Sequence, residues 1–276
     1  MDTISAVSAA VTGARHLRVA RNGQDAAATW VGDGAGAIVV CDGCGSGASS
    51  EVGARLGAQL VIGAIAAALQ RGERPSELWP GVRAQVTSVL AQLVEAMIGA
   101  TPAASSSAVP VARSTSAGGD RAAVIREHFL FTVVAAAVAG GEACAWAIGD
   151  GGYAFGDSMH VLGPFAGNQP PYLAYDLLGM PAVAHLDARD AVAGSVAVVT
   201  DGAAELGLAE LTDRATLAHP DGLRRRLAVL ARGGERIDWD TRRVIRTPAA
   251  LQDDGAVAIL RWHAERPGDG PTGRRR

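Results

Sequence analysis

The chain has 276 residues, 49% of them hydrophobic, and a formal net charge of −3. Its length and apolar content suffice for one large or two small globular domains, and the near-neutral balance excludes a global basic field that would draw it to nucleic acid or an anionic membrane. Three cysteines are too few for a disulfide framework and fit a reducing compartment, so the expectation is cytoplasmic.

The N-terminal run MDTISAVSAAV has neither the basic start nor the apolar stretch of a signal peptide. Ala27 to Val31 and Ala37 to Cys41 are β-prone and separated by Gly32-Asp33-Gly34, a hairpin signal. Ser49 or Ser50 offers an N-cap, and Val52, Leu56, Leu60 and Leu69 keep helical spacing to Gln70. The apolar core of that stretch, Leu56 to Leu69, is too short for the roughly 20 residues that span a bilayer. Val82, Val86, Val89, Leu93 and Met97 mark one face of a second helix.

The segment 101–120 is rich in Ala, Ser, Pro and Gly without periodicity and reads as a mobile loop. Strands are expected over His128 to Val138, Ala143 to Ile148, Tyr153 to Phe155 and Met159 to Leu162, arranged as an antiparallel meander. Ser195 to Thr200 reads as a buried strand, Asp221 to Arg232 as a helix, Gly255 to Trp262 as a closing strand, and 264–276 as a disordered basic tail. Two helices in succession between groups of strands define an α+β layered domain over residues 1–263, not a βαβ alternation.

The stretch AIVVCDGCGSGASSEVGARLG, residues 37 to 57, admits three chemistries. Cys41-Asp-Gly-Cys44 has CxxC spacing, but the remaining Cys144 supplies no second ligand pair for zinc, and the pair straddles a strand end rather than opening a helix. Gly43-x-Gly45-x-x-Ala48 imitates a dinucleotide fingerprint, but a helix occupies the window where a second parallel strand with an acidic end is required. A metal is the third reading. Asp42, Asp150, Asp201 and Asp253-Asp254 each stand beside glycine at the end or start of an apolar run. One Asp-Gly is turn chemistry; four point to an oxygen-ligand set for a hard cation.

Their order resembles the metal-dependent type 2C protein serine/threonine phosphatases: Gln24-Asp25, Asp42-Gly43-Cys44-Gly45, Gly149-Asp150, Thr200-Asp201-Gly202 and Asp253-Asp254, spread from about Gly13 to Trp262. The resemblance implies a four-layer α-β-β-α sandwich of two antiparallel sheets flanked by helix pairs. It implies that Asp42 bridges two Mn²⁺ or Mg²⁺ ions, with Gly43 ligating through its carbonyl. Asp201 and Asp253 complete the centre, Asp25 stands at its edge, and Asp150 joins Asp201 at a weaker third site found in some bacterial members. Asp42, Asp201 and Asp253 are thereby the catalytic set, serving a metal-bridged hydroxide that attacks phosphoserine or phosphothreonine. The implied partners are a phosphoprotein and a cognate Ser/Thr kinase.

Three departures stand out. Cys44 fills a slot where many eukaryotic members carry a histidine proposed as a general acid. The usual phosphate-binding arginine position is Ala20, leaving Arg18 or Arg21, of which Arg21 is the expected substitute. Asp254 stands where Asn is common. A phosphatase-like binding module without turnover is the alternative reading. Asn168-Gln169-Pro170-Pro171-Tyr172 reads as a turn, Arg224-Arg225-Arg226 as a solvated helix face, and His128, His160, His185 and His219 show no ligand spacing.

Overall fold

The computed structural model describes residues 3–100, 117–191, 194–212 and 219–263; the expected tail and most of the expected 101–120 loop lie outside them. The β-rich stretches form two five-stranded sheets, antiparallel at every pairing. The first runs β1 (Thr3–Val11), β12 (Gly255–His263), β9 (Gly194–Val199), β6 (Gly151–Phe155) and β7 (Ser158–Leu162). The second runs β2 (Asp25–Gly32), β3 (Ala35–Asp42), β4 (Val133–Ala139), β5 (Glu142–Ile148) and β8 (His185–Asp190).

The sheets pack face to face, burying Ile38, Val40, Val134, Ala136, Val198, Ala258 and Leu260 between them. On the outside of the second sheet lie α2 (Ser50–Gln70), α3 (Trp79–Ala100) and α4 (Ala117–His128), sealed by Val61, Ile65, Val86, Leu90, Ile125 and Phe131. On the other outside lie α5 (Asp201–Ala204) and α6 (Gly222–Leu230), whose Leu223 and Leu227 are buried. This is the four-layer α-β-β-α arrangement. The central strands are buried on both faces, so they read as continuous apolar runs instead of alternating ones.

Several elements differ from the sequence reading, each for a physical reason. The helix α2 turns Gly53, Ala54, Gly57, Ala58, Val61, Ile62 and Ile65 inward, while Val52 and Leu56 are 40% and 38% exposed. Small residues bring it close to the sheet: a Cβ on Gly57 would strike the Phe131 ring, and one on Gly53 the carbonyl of His128. At 21 residues α2 is long and apolar enough to cross a membrane by length and composition alone, yet its apolar face is spent on the sheet. The segment 117–120 begins α4 instead of continuing a loop, and His128 ends that helix instead of opening a strand.

The expected meander is divided between the two sheets. The chain leaves β5 and enters β6 across Gly149-Asp150-Gly151, where Gly149 at φ 107° and Gly151 at φ 103° hold left-handed conformations open to glycine. Four strands escaped the sequence reading: β1, β8 and the hairpin of β10 (Gly234–Asp238) and β11 (Arg243–Thr247), which forms a two-stranded sheet of its own among the described residues.

Candidate metal centre

The site forms where strand ends meet at one mouth of the sandwich. Asp25 opens β2 and Asp42 closes β3, and the antiparallel register sets them directly opposite one another. Asp150 sits in the crossing from β5 to β6, Asp201 follows β9 at the start of α5, and Asp253 precedes β12. A cleft of about 350 Å³ is lined by Asp25, Asp42, Gly43, Asp150, Asp201 and Asp253 together, so the structure gathers every aspartate the sequence singled out.

Neighbouring main chain fixes the ends. The Asp42 carbonyl accepts from Thr132 N at 2.8 Å, Gly43 N donates to the Gln24 carbonyl at 3.1 Å, and Cys44 N to the Leu130 carbonyl at 2.9 Å. Thr200 Oγ1 donates to Asp25 Oδ2 at 2.6 Å and accepts from Ala256 N at 2.9 Å, tying the two sheets together beneath the cleft.

These carboxylates crowd one another in a poorly solvated space. Burial, with the nearby Asp254 and Asp201 charges adding to it, pushes Asp25 up to about 7 even though Thr200 donates to it. Burial and the facing Asp25 charge drive Asp42 far above the carboxylate range. Asp150 rises to about 6 through burial and the Asp201 charge, and Asp201 rises through burial with Asp253 contributing. Asp150 Oδ1 is buried without a hydrogen-bond partner among the described residues. An oxygen-only donor set, like-charge crowding and an orphaned carboxylate oxygen fit hard divalent cations, which convert that repulsion into ligation.

The last acidic pair divides its labour. Asp254 is buried and saturated: Oδ1 accepts from Gly13 N at 2.8 Å, while Oδ2 accepts from Gln24 N at 2.6 Å and lies 2.7 Å from His16 Nδ1. With both oxygens taking donors, a carboxylate serves this position where an amide would present an N–H to an N–H. Asp253 stays exposed, with Oδ1 on the Asp254 N–H and Arg15 at 3.8 Å from Oδ2. Asp253, Asp254 and His16 form a tight cluster, but the hydrogen bonds make Asp254 and His16 supports of the closing turn.

Arg21 stands at the rim, its Nη2 donating to the carbonyls of Gly45 at 2.9 Å and Gly47 at 3.0 Å; it braces the loop after Asp42. Arg18 faces a different groove. Cys44 lines the cleft with its Sγ 3.1 Å from Ser46 Oγ. Burial would raise this thiol, but hydrogen bonds from Ser46 and Tyr172 bring it below its ordinary value. Asn168, Gln169, Pro170 and Tyr172 also line the cleft, so the segment read as a turn walls the site. Gln24, Thr200, His16 and Arg15 went unrecognised as site residues in the sequence. Only Thr200 and Gln24 carried a signal, each immediately preceding a singled-out aspartate.

An α-β-β-α sandwich with an oxygen-only carboxylate cleft at one mouth defines a class of proteins suited to hold hard cations. Within that class, the family model described as Protein phosphatase 2C matches residues 12–235, and the chain belongs to that family. The match ends inside β10, so Asp253 lies beyond it. Among solved structures, the chain is similar to a bacterial serine phosphatase at 12% identity, covering 96% of this chain and 100% of that one, with TM-score 0.54. It is similar to the catalytic domain of the serine/threonine phosphatase PstP in complex with two manganese ions, at 15% identity, 96% and 100% coverage and TM-score 0.53. A third likeness is PppA, a regulatory component of the type VI secretion system in Pseudomonas aeruginosa, at 16% identity, 95% and 100% coverage and TM-score 0.50. A search of curated protein sequences finds no match.

Proposed function

We propose that this chain hydrolyses phosphoserine and phosphothreonine in cytoplasmic phosphoproteins, opposing a Ser/Thr kinase, with Mn²⁺ or Mg²⁺ held by its strand-end aspartates. The observation that carries the reading is the register pair Asp25 and Asp42 facing each other inside the cleft that Asp150, Asp201 and Asp253 complete. Carboxylates brought this close without a cation would have to keep protons near neutral pH.

In this reading Asp42, the Gly43 carbonyl, Asp201 and Asp253 would hold the ions, with Asp25 at the edge of the set. Asp150, whose Oδ1 has no hydrogen-bond partner among the described residues, would with Asp201 hold a third ion. When bound, the cations supply Lewis acidity toward the phosphoryl oxygens and an activated water. Thr200 orients Asp25, and the Asp254 hydrogen bonds fix the turn that presents Asp253. Arg21 holds the loop from Cys44 to Gly47 at the open side, where a phosphoryl group enters. No protein nucleophile is required.

The test is hydrolysis of p-nitrophenyl phosphate and a phosphothreonine peptide with and without Mn²⁺. Metal-dependent turnover, abolished in Asp42→Ala, is expected. A folded, Mn²⁺-loaded protein without turnover, or full activity in Asp42→Ala, would reject the reading; tight metal binding without turnover would favour the binding module.

A further inference from the structure

A second concavity lies beside the metal cleft. The short helix α1 (Ala14–Arg18) is the ridge between them: Arg15 and His16 turn to Asp253 and Asp254, while Ala14, Leu17 and Arg18 face the other way. That other side is a groove of about 740 Å³ whose far wall is the base of the β10–β11 hairpin, through Glu235, Arg246 and Thr247. Main-chain bonds from Ala14 N to the Leu251 carbonyl and from Arg15 N to the Gln252 carbonyl hold the ridge against the residues leading into Asp253. The groove therefore begins one residue from a candidate metal ligand.

The hairpin wall is unusual for a free surface. Register pairs Glu235 with Arg246 and Ile237 with Val244, which places these four on the face that continues the groove. Ile237 and Val244 are 51% and 57% exposed, Trp239 at the turn is 77% exposed, and Leu17 across the groove is 54% exposed. A two-stranded hairpin by itself is marginal in water, and contiguous exposed apolar side chains mark a binding surface. Two of the nearby acidic groups are engaged, and Asp240 in the turn stays exposed. Asp238 is committed to the turn, accepting from Asp240 N and Thr241 N, and Glu235 is paired with Arg246. Arg18 in the groove wall and Arg242 beside the turn make no ion pair among the described residues, whereas Arg236 and Arg243 alternate onto the opposite face of the hairpin. Arg242 holds φ 51°, a left-handed conformation that glycine adopts far more readily than arginine.

We propose that this groove and hairpin face dock the segment of a phosphoprotein substrate that flanks the phosphorylated residue, and that the segment is acidic and carries an apolar side chain. The proposal rests on the phosphatase reading. Continuity across α1 with the metal cleft supplies the place, the unpaired arginines select acidic flanks, and Leu17, Ile237, Val244 and Trp239 supply the apolar seat. Recognition remote from the reacting group raises kcat/KM for the peptide and leaves a small substrate untouched.

The experiment compares p-nitrophenyl phosphate with two phosphothreonine peptides, one acidic-flanked with a leucine and one basic-flanked, in Mn²⁺. Two variants are used: Val244→Ser with Arg242→Gln, and a loop-out replacing 235–246 with Asn-Gly, which the direct pairing of Gly234 with Thr247 permits. A fall of about tenfold in kcat/KM for the acidic peptide, carried by KM, with p-nitrophenyl phosphate unchanged, is expected. An unchanged acidic-over-basic preference in a variant with full p-nitrophenyl phosphate activity would overturn the proposal. So would a dimer of the wild type that Trp239→Ser dissolves, which would assign the face to a second copy. If the loop-out also loses the small substrate, the double variant, whose main chain is intact, decides by the same two outcomes. Absence of p-nitrophenyl phosphate turnover in the wild type rejects the phosphatase reading itself, a separate result.

Discussion

At the residue scale, the aspartates of the cleft were legible because each punctuates an apolar run with Asp-Gly or Asp-Asp, a local signal. Their supports were not. Thr200 meets Asp25 across 175 residues of sequence and His16 meets Asp254 across 238, and nothing nearby in the chain announces either contact. Cys44 illustrates the converse, a conspicuous residue whose CxxC partner Cys41 is fully buried in the core and faces no redox mate. Its sulfur lies within reach of Ser46, and Cys44 lines the cleft. A general acid there would be worth about 10²–10⁴ in rate. If Cys44 is a hydrogen-bonded wall residue, Cys44→Ser preserves both size and hydrogen bonding and keeps kcat within a few fold. A loss approaching 10²-fold in steady-state kinetics would make the thiol a proton donor.

At the element scale, the strands that end in aspartate and the two long helices were legible from apolar runs and periodicity. The misread face of α2 shows the limit. Leucine and valine spacing marked one stripe, but glycine and alanine line the buried one because they let the helix approach the sheet. The strand β8 was illegible for another reason: HLDARD lies at a sheet edge, and four of its six residues are exposed. Close approach also governs the closing turn before β12, which is gripped from two sides. A Cβ on Gly13 would overlap the carbonyl of Asp253, and one on Gly202 the carbonyl of Asp254. Neither glycine needs a positive φ; both are required by space. Gly13→Ala and Gly202→Ala should each displace Asp253 at a cost of about 1–3 kcal/mol and weaken Mn²⁺ binding by about tenfold, equivalent to about 1.4 kcal/mol. Calorimetric titration checks this, and wild-type affinity in both variants would show that the turn yields without moving the ligand.

At the scale of the whole molecule, two sheets are joined at the end where five carboxylates converge, so the energetics of folding and of metal binding are one problem. Asp25 near 7 and Asp150 near 6 retain protons in the native metal-free state that the unfolded chain, with carboxylates near 4, has already released. Between about pH 4 and pH 7 the native state therefore binds more protons than the unfolded state. Stability from these groups then falls as pH rises through that window and is flat below it and above it. Cations reverse the sign by binding the deprotonated carboxylates, so uptake releases protons and strengthens as pH rises. The rise in Tm on adding Mn²⁺ should consequently be larger at pH 7.5 than at pH 5. Asp25→Asn, which keeps an oxygen for the Thr200 hydroxyl, should flatten the fall in metal-free Tm between those values. Differential scanning fluorimetry at each pH, with and without a fixed Mn²⁺ concentration, measures both. A metal-induced rise that is greatest at pH 5, or a pH profile untouched by Asp25→Asn, would mean that the crowded carboxylates do not act as one ligand set.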